Sequence, residues 1–276
     1  MKKKILDVCA GIAVGYGAVQ ISKKIFTAKK KTFSQKTWKK SHKDGSDVFL
    51  TEGIDAVIGS IASLMFIPRG KRIGFLVPIL ASSVAGYIDD HLEDKFDVQA
   101  KGLNGHISAL KDGKISTGAL KIFLIGAGSA FSSYMMVKDD EKNFFSWLVK
   151  TGIIAGSANL VNLFDLKPGR ALKVCGIVSF EQILRGCNLA GNASVVGLCL
   201  SCLPDDVSGK TMLGDTGANT LGAMVGYHLA DGYSRAHNMF VFSIITGLTL
   251  ASERVSFSKV IERNPFLHFL DNLGVH

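Results

Sequence analysis

The chain has 276 residues, 47% of them hydrophobic, a mean hydropathy of +0.26 and a net charge of +9. That average is too apolar for most soluble domains of this length. The charges gather into compact loops between apolar runs, which favours a polytopic membrane protein over a soluble α/β protein.

The apolar runs, taken in chain order, predict about nine membrane spans in one all-α domain covering residues 1–276. They fall near 5–22, 48–68, 73–88, 117–137, 145–163, 171–186, 190–203, 216–230 and 238–251. The first run carries Lys2 to Lys4 but no A-x-A-like cleavage site, so it reads as a retained span. Much of the basic excess lies between Lys23 and Lys43. Such a segment fits a cytoplasmic loop against anionic headgroups of the lipid bilayer better than a nucleic-acid surface, so no nucleic-acid partner is expected. With residues 23–47 cytoplasmic, alternation places 91–116, 204–215, 252–276 and the segment after Asn162 on the same side. The expectation is a multi-pass protein of the cell (plasma) membrane with its active site on the cytoplasmic face. Gly11, Gly15 and Gly17 in the first run, and Gly126 and Gly128 in the fourth, suit close helix contacts. Cys9, Cys175, Cys187, Cys199 and Cys202 lie mostly within apolar runs and read as small buried hydrophobes. Cys199-x-x-Cys202 has no second half for a zinc site.

Four polar motifs interrupt this pattern. The uncharged run from Ile73 to Ile88 ends in Asp89 and Asp90, with Glu93 and Asp94 one turn on. Carboxylates at the mouth of an apolar helix call for a compensating charge, and Mg2+ is the natural one; a solvated helix end is the plainer reading. Asn159, Asn162 and Asp165 end a second run at i, i+3 and i+6, a candidate binding edge or a set of interhelical hydrogen bonds. The run M-L-G-D-T-G-A-N-T-L-G (Met212 to Gly222) sets Asp215 at the start of an apolar helix, with Thr216 as its expected N-cap and glycines that let backbone approach a ligand. Ser208 to Thr211 (S-G-K-T) is not a Walker loop, because Pro204 stands where that pattern needs glycine. In the tail, Arg254, Lys259, Arg263 and His268 are candidate phosphate contacts, while Val255, Phe257, Val260, Ile261, Phe266 and Leu267 suit a membrane surface.

Together the Asp-Asp pair, the N-x-x-N-x-x-D helix end and the G-D-T-G-x-x-x-L-G element resemble, in order and on one expected side, the polyprenyl-phosphate phosphosugar-1-transferases. That family includes the phospho-MurNAc-pentapeptide translocase and the GlcNAc-1-phosphate transferases of cell-envelope polysaccharide synthesis. The resemblance covers roughly residues 80 to 230. It implies transfer of a sugar-1-phosphate, a HexNAc-1-phosphate, from a UDP-sugar to a membrane polyprenyl (undecaprenyl) phosphate, with release of UMP. It implies Mg2+, with Mn2+ as a substitute, and a homodimer as a family-level expectation. Asp215 would be the first metal ligand. Asp89 and Asp90 would manage the acceptor phosphate or join the metal. Asn159, Asn162 and Asp165 would hold the nucleotide side, and Lys43 and Lys101 are further candidate phosphate contacts.

The chain departs from the family in three places. Where members continue the second motif as D-G-x-D-G, this chain reads Asp165-Leu-Lys-Pro-Gly-Arg170, with Pro168 in place of the second acid. After Ser252 the histidines are His268 and His276, where members carry a histidine-rich loop. Members also have ten or more spans. Two other readings stand beside the transferase: a catalytically relaxed membrane scaffold or regulator on the same fold, and a Mg2+-dependent prenyltransferase, whose D-D-x-x-D motif Asp89 to Glu93 approaches but in which Asp215 has no role.

Overall fold

The computed structural model describes residues 2–28, 38–41, 47–95, 116–137 and 143–275. Each of the nine apolar runs contains a helix. These are α1 (Lys2–Ala28), α2 (Glu52–Ala62), α3 (Arg72–Leu92), α4 (Thr117–Val137), α5 (Phe144–Phe164), α6 (Arg170–Leu184), α7 (Leu189–Val207), α8 (Gly214–Ala230) and α9 (Arg235–Ser252). Two short helices follow, α10 (Phe257–Arg263) and α11 (Pro265–Asn272).

The architecture is all-α, and the chain is compatible with a membrane protein. Four stretches, Lys2–Phe26, Arg69–Leu92, Thr117–Val137 and Phe144–Phe164, are long and apolar enough to cross a bilayer. The pair α9 and α10, bent by 97°, makes a fifth if it is one broken span. Among the described residues the expected nine are not reached on length and composition. Helix α2 has only 11 residues, about 16 Å of rise against a hydrocarbon core of about 30 Å. Helices α6 and α8 have 15 and 17 residues.

One small sheet interrupts the helices. Strands β1 (Lys39–Ser41) and β2 (Asp47–Phe49) pair antiparallel, with Lys39 opposite Phe49 and Lys40 opposite Val48. This hairpin is pinned to the segment before α8: Met212 N donates to Phe49 O at 3.0 Å and Phe49 N to Lys210 O at 3.3 Å.

Helix α8 is the axis of the bundle. Every residue of it is buried except Asp215 and Leu229, which are half-buried. A helix apolar on all sides belongs inside its neighbours, and α8 packs chiefly against α5, α3 and α2. Small residues make the approach close. A methyl group placed on Gly222 would lie 2.6 Å from Ser157 O, and one on Gly217 would lie 3.0 Å from Gly53 Cα. Helices α1 and α7 pack in the same way: methyls on Gly11 and Gly15 would run into Ala190 O and Ser194 O. Gly128 meets Ala81 and Pro78, whereas Gly17 and Gly126 face open space and are not contact glycines. All five cysteines are free; Cys175, Cys199 and Cys202 are buried, Cys187 is half-buried and Cys9 is exposed.

Candidate active site

The N-terminus of α8 is assembled by the end of α3. Gly86 lies one turn before Asp90, and a methyl there would clash with Asp215 O and with Thr216 Cα, the latter at 2.5 Å. Without a side chain the two helices touch, and Asp90 slides beneath the first turn of α8. Gly214, at φ +60°, turns the chain into the helix, and a Cβ on it would sit 3.0 Å from Asp90 Oδ2. Asp90 then accepts from Asp215 N at 3.0 Å, from Thr216 N at 2.8 Å and from Thr216 Oγ1 at 2.7 Å. Those amides are the orphan donors of a helix start, and a carboxylate there also meets the positive end of the helix dipole. The expected cap, Thr216, is instead inside the helix, and its hydroxyl joins in binding the true cap, Asp90, which comes from 126 residues away.

This capping leaves Asp215 and Asp89 side by side, both within ion-pair distance of one ammonium. Two like charges at about 4 Å repel by about 4 kcal/mol at a near-surface effective dielectric constant of about 20. The ammonium of Lys121, from the first turns of α4, lies between them. It donates to Asp89 Oδ2 at 3.2 Å and forms an ion pair with Asp215 Oδ2. Asn162 completes the ring from the last turn of α5. With its amide turned as its neighbours require, Nδ2 donates to Asp215 Oδ1 at 3.1 Å and Oδ1 accepts from Lys121 Nζ at 3.1 Å. Four helices thus contribute one side chain each to a cluster that is about a quarter to a third exposed at its acids and 13% exposed at Lys121.

A second layer of acids lies behind it. Asp165 caps the end of α5, its backbone N–H bonded to Val161 O and Asn162 O. Burial, reinforced by the charges of Asp206, Asp215 and Asp90, holds its carboxyl well above the usual carboxylate range. Asp206, at the end of α7, accepts from Gly169 N at 3.0 Å. Burial pushes it up to about 6, against the pull of that hydrogen bond. Glu52, fully buried at the start of α2, accepts from Thr211 Oγ1 at 2.6 Å and faces Asp206.

Of the sequence-predicted residues, Asp89, Asp90, Asn162, Asp165 and Asp215 meet at one end of the bundle. Asn159 lies one turn before Asn162 and is half-buried; among the described residues no hydrogen bond links it to the cluster. Lys43 and Lys101 lie outside the described residues. Arg254, Lys259, Arg263 and His268 are exposed on the tail. Among the described residues none of these four has a hydrogen bond or ion pair to the cluster; His268 instead meets Asn272 at 3.0 Å. Three site residues escaped the sequence reading. Lys121 was absorbed into an apolar span, although a lone ionisable residue in such a span is itself a signal. Glu52 and Asp206 sit 154 residues apart and lack a motif.

The cluster offers a hard cation two carboxylates and an amide oxygen, all converging on one positively charged atom, the ammonium of Lys121. Mg2+ takes one or two carboxylates from a protein and completes its shell with water and substrate phosphates. The residues therefore fit that ion, with Asp215 and Asp89 as ligands. Asp90 is committed to the amides of α8 and fits a positioning role better. No family model and no curated protein matches the chain.

Proposed function

We propose that the chain transfers a sugar-1-phosphate from a UDP-sugar to a membrane polyprenyl phosphate in cell-envelope polysaccharide synthesis. The observation that carries this reading is the meeting of Asp89, Lys121, Asn162 and Asp215 at one helix end, three of them from motifs that resemble those of phosphosugar-1-transferases. A prenyltransferase gives Asp215 no role, and here Asp215 is the hub.

The chemistry asked of the site is positioning and charge neutralisation. An oxygen of the acceptor phosphate attacks the sugar-bearing phosphorus of the donor. The bond from that phosphorus to the bridging oxygen breaks, and UMP leaves with the bridging oxygen. Asp215 and Asp89 would hold Mg2+, which would supply Lewis-acid neutralisation of the pyrophosphate. The rest falls to the chain. Lys121 exchanges carboxylate contacts for phosphate oxygens as negative charge arrives. Asn162, anchored to Asp215, orients the donor side. Asp90 fixes the first turn of α8, so that Asp215 is held in place before substrate binds. Asp165, half-buried at the same end, would contact the nucleotide, and Pro168 and Gly169 shape the turn beyond it.

The test is UMP release by the purified protein in detergent with Mg2+, undecaprenyl phosphate and a panel of UDP-sugars. The expected result is UMP and a lipid-linked pyrophosphate sugar with at least one UDP-HexNAc, abolished by chelation of the metal. No UMP with any donor, together with diphosphate release from a prenyl diphosphate, would point to the prenyltransferase instead.

A further inference from the structure

The last two helices are inside out for a water-exposed surface. On α11 the charged Asp271 is 6% exposed, while Phe266 and Phe269, and Leu273 just past the helix end, are 67%, 62% and 56% exposed. The buried face is fully paired. Arg170 clasps Asp271 through Nε at 2.7 Å and Nη2 at 2.8 Å, and Arg170 Nη1 donates to Ser258 Oγ of α10 at 2.9 Å. Lys173 donates to Leu270 O and Asp271 O. A bidentate clasp of this kind fixes orientation as well as position, and it fixes α11 with its aromatic face outward. Helix α10 leaves α9 at 97° and stacks Phe257 on Phe164, with ring centroids 5.1 Å apart, at the end of α5. Helix α9 reaches the length and apolarity of a span only together with α10, so the bend allows α10 two courses, within the bilayer or along its surface, and the outward aromatic face of α11 favours the surface.

We propose that α10 and α11 form an interfacial element seated in the lipid headgroup and upper acyl region, at the same end of the bundle as the Asp215 cluster. The exposed aromatic face would enter the boundary to about 5–10 Å, as amphipathic surface helices do. The exposed cations Arg254, Lys259 and Arg263 border it, so anionic phospholipid is the partner the charges fit. The clasp ties this lipid-facing element to the turn that follows Asp165, only five residues before Arg170. This inference needs the membrane assignment alone and stands apart from the transferase reading.

The experiment replaces Phe269→Trp in the otherwise unaltered chain and reconstitutes it in vesicles of phosphatidylcholine and phosphatidylglycerol, with or without bromine on the upper acyl chain. The unaltered chain supplies the baseline emission of Trp38 and Trp147. The added emission should fall by about half or more in brominated vesicles and resist aqueous iodide. Leu273→Trp repeats the test should the first variant fold poorly. Quenching by iodide with no effect of bromine would overturn the proposal. So would shielding from both that disappears as protein is diluted in lipid, since that marks a second copy as the occupant. Asp271→Ala should lessen the bromine effect at least twofold, and unchanged quenching would remove the clasp from the account. None of these readouts uses UMP, so a failed transferase assay leaves them standing.

Discussion

Two buried charged regions at one end of this bundle obey the same rule and come to different ends. At the tail, Arg170 and Asp271 are each 3% exposed at the side chain and satisfy each other through two hydrogen bonds. At the head of α8, Asp89 and Asp215 flank one ammonium, Asp90 caps the helix beside them, and Asp165, Asp206 and Glu52 lie just behind. The first region is closed, with nothing left to bind. The second is open: among the described residues its oxygens exceed its positive charge, and it is partly exposed to an approaching ligand. Burial of a charge costs several kcal/mol unless it is matched, so an unmatched cluster held in place by close backbone packing signals a ligand, whereas a matched one signals architecture. Asp90 shows both characters: it is matched by the amides of α8, and its match is what holds Asp215 ready.

Breaking the closed region should cost stability and spare chemistry. Arg170→Ala leaves Asp271 buried without its two guanidinium hydrogen bonds and with the more distant Lys167, at 3.9 Å, as its remaining ion-pair partner, a loss of about 3 kcal/mol, seen as a large drop in melting temperature in detergent. Activity per folded molecule should fall less than about tenfold. A loss of several hundredfold in the folded fraction would mean that the clasp reaches the reacting groups.

The open region should answer in the opposite way. Lys121→Met removes the charge that meets incoming phosphate, and UMP release should drop about 100- to 1000-fold. Because Asp89 and Asp215 then repel with no ammonium between them, added Mg2+ should raise the melting temperature of this variant more than that of the parent protein. Equal responses to Mg2+ would argue against a shared cation position.

Gly86→Ala probes the packing that joins α3 to α8. A methyl pressed against Asp215 O and Thr216 Cα should cost about 1–3 kcal/mol in stability and lower activity as well, since it moves Asp90 from the amides it caps. Unchanged stability would show that the two helices can slide without loss.

The smallest effect concerns pH. Asp206 in the folded protein is held at about 6, above its ordinary value of 3.8, by burial. Its contribution to stability is therefore fully present below its unfolded value and is lost as pH rises through about 6. Asp206→Asn should flatten the melting temperature between pH 4 and pH 7 and leave the protein at least as stable as its parent at pH 7.5. A variant whose pH profile matched the parent's would place the effect on another carboxyl, with Asp165 the next to test.

The open site was the more legible of the two regions. Asp89 and Asp90, Asn162 and Asp165, and Asp215 each end or begin an apolar run, and polar residues at such boundaries stand out against their neighbours. Lys121 was hidden because one lysine scarcely alters the hydropathy of a 21-residue run. The true cap of α8 was hidden because it depends on a backbone contact between Gly86 and Asp215, which no local pattern encodes. The closed region left no trace either: Arg170 and Asp271 are 101 residues apart, and each looks like an ordinary surface charge. The nine apolar runs did become helices, but apolarity alone did not separate α8, buried within protein, from α3, α4 and α5, which are also long enough to face lipid.

The measurement that bears most directly on the open site is UMP release by Asp215→Asn, taken together with binding of Mn2+ read by electron paramagnetic resonance in the presence of a UDP-sugar. Loss of both, by about 1000-fold in rate and with melting temperature within a few degrees of the parent, is the result expected if the head of α8 holds the metal and the reacting phosphates. Undiminished Mn2+ binding and UMP release in a folded Asp215→Asn protein would contradict it.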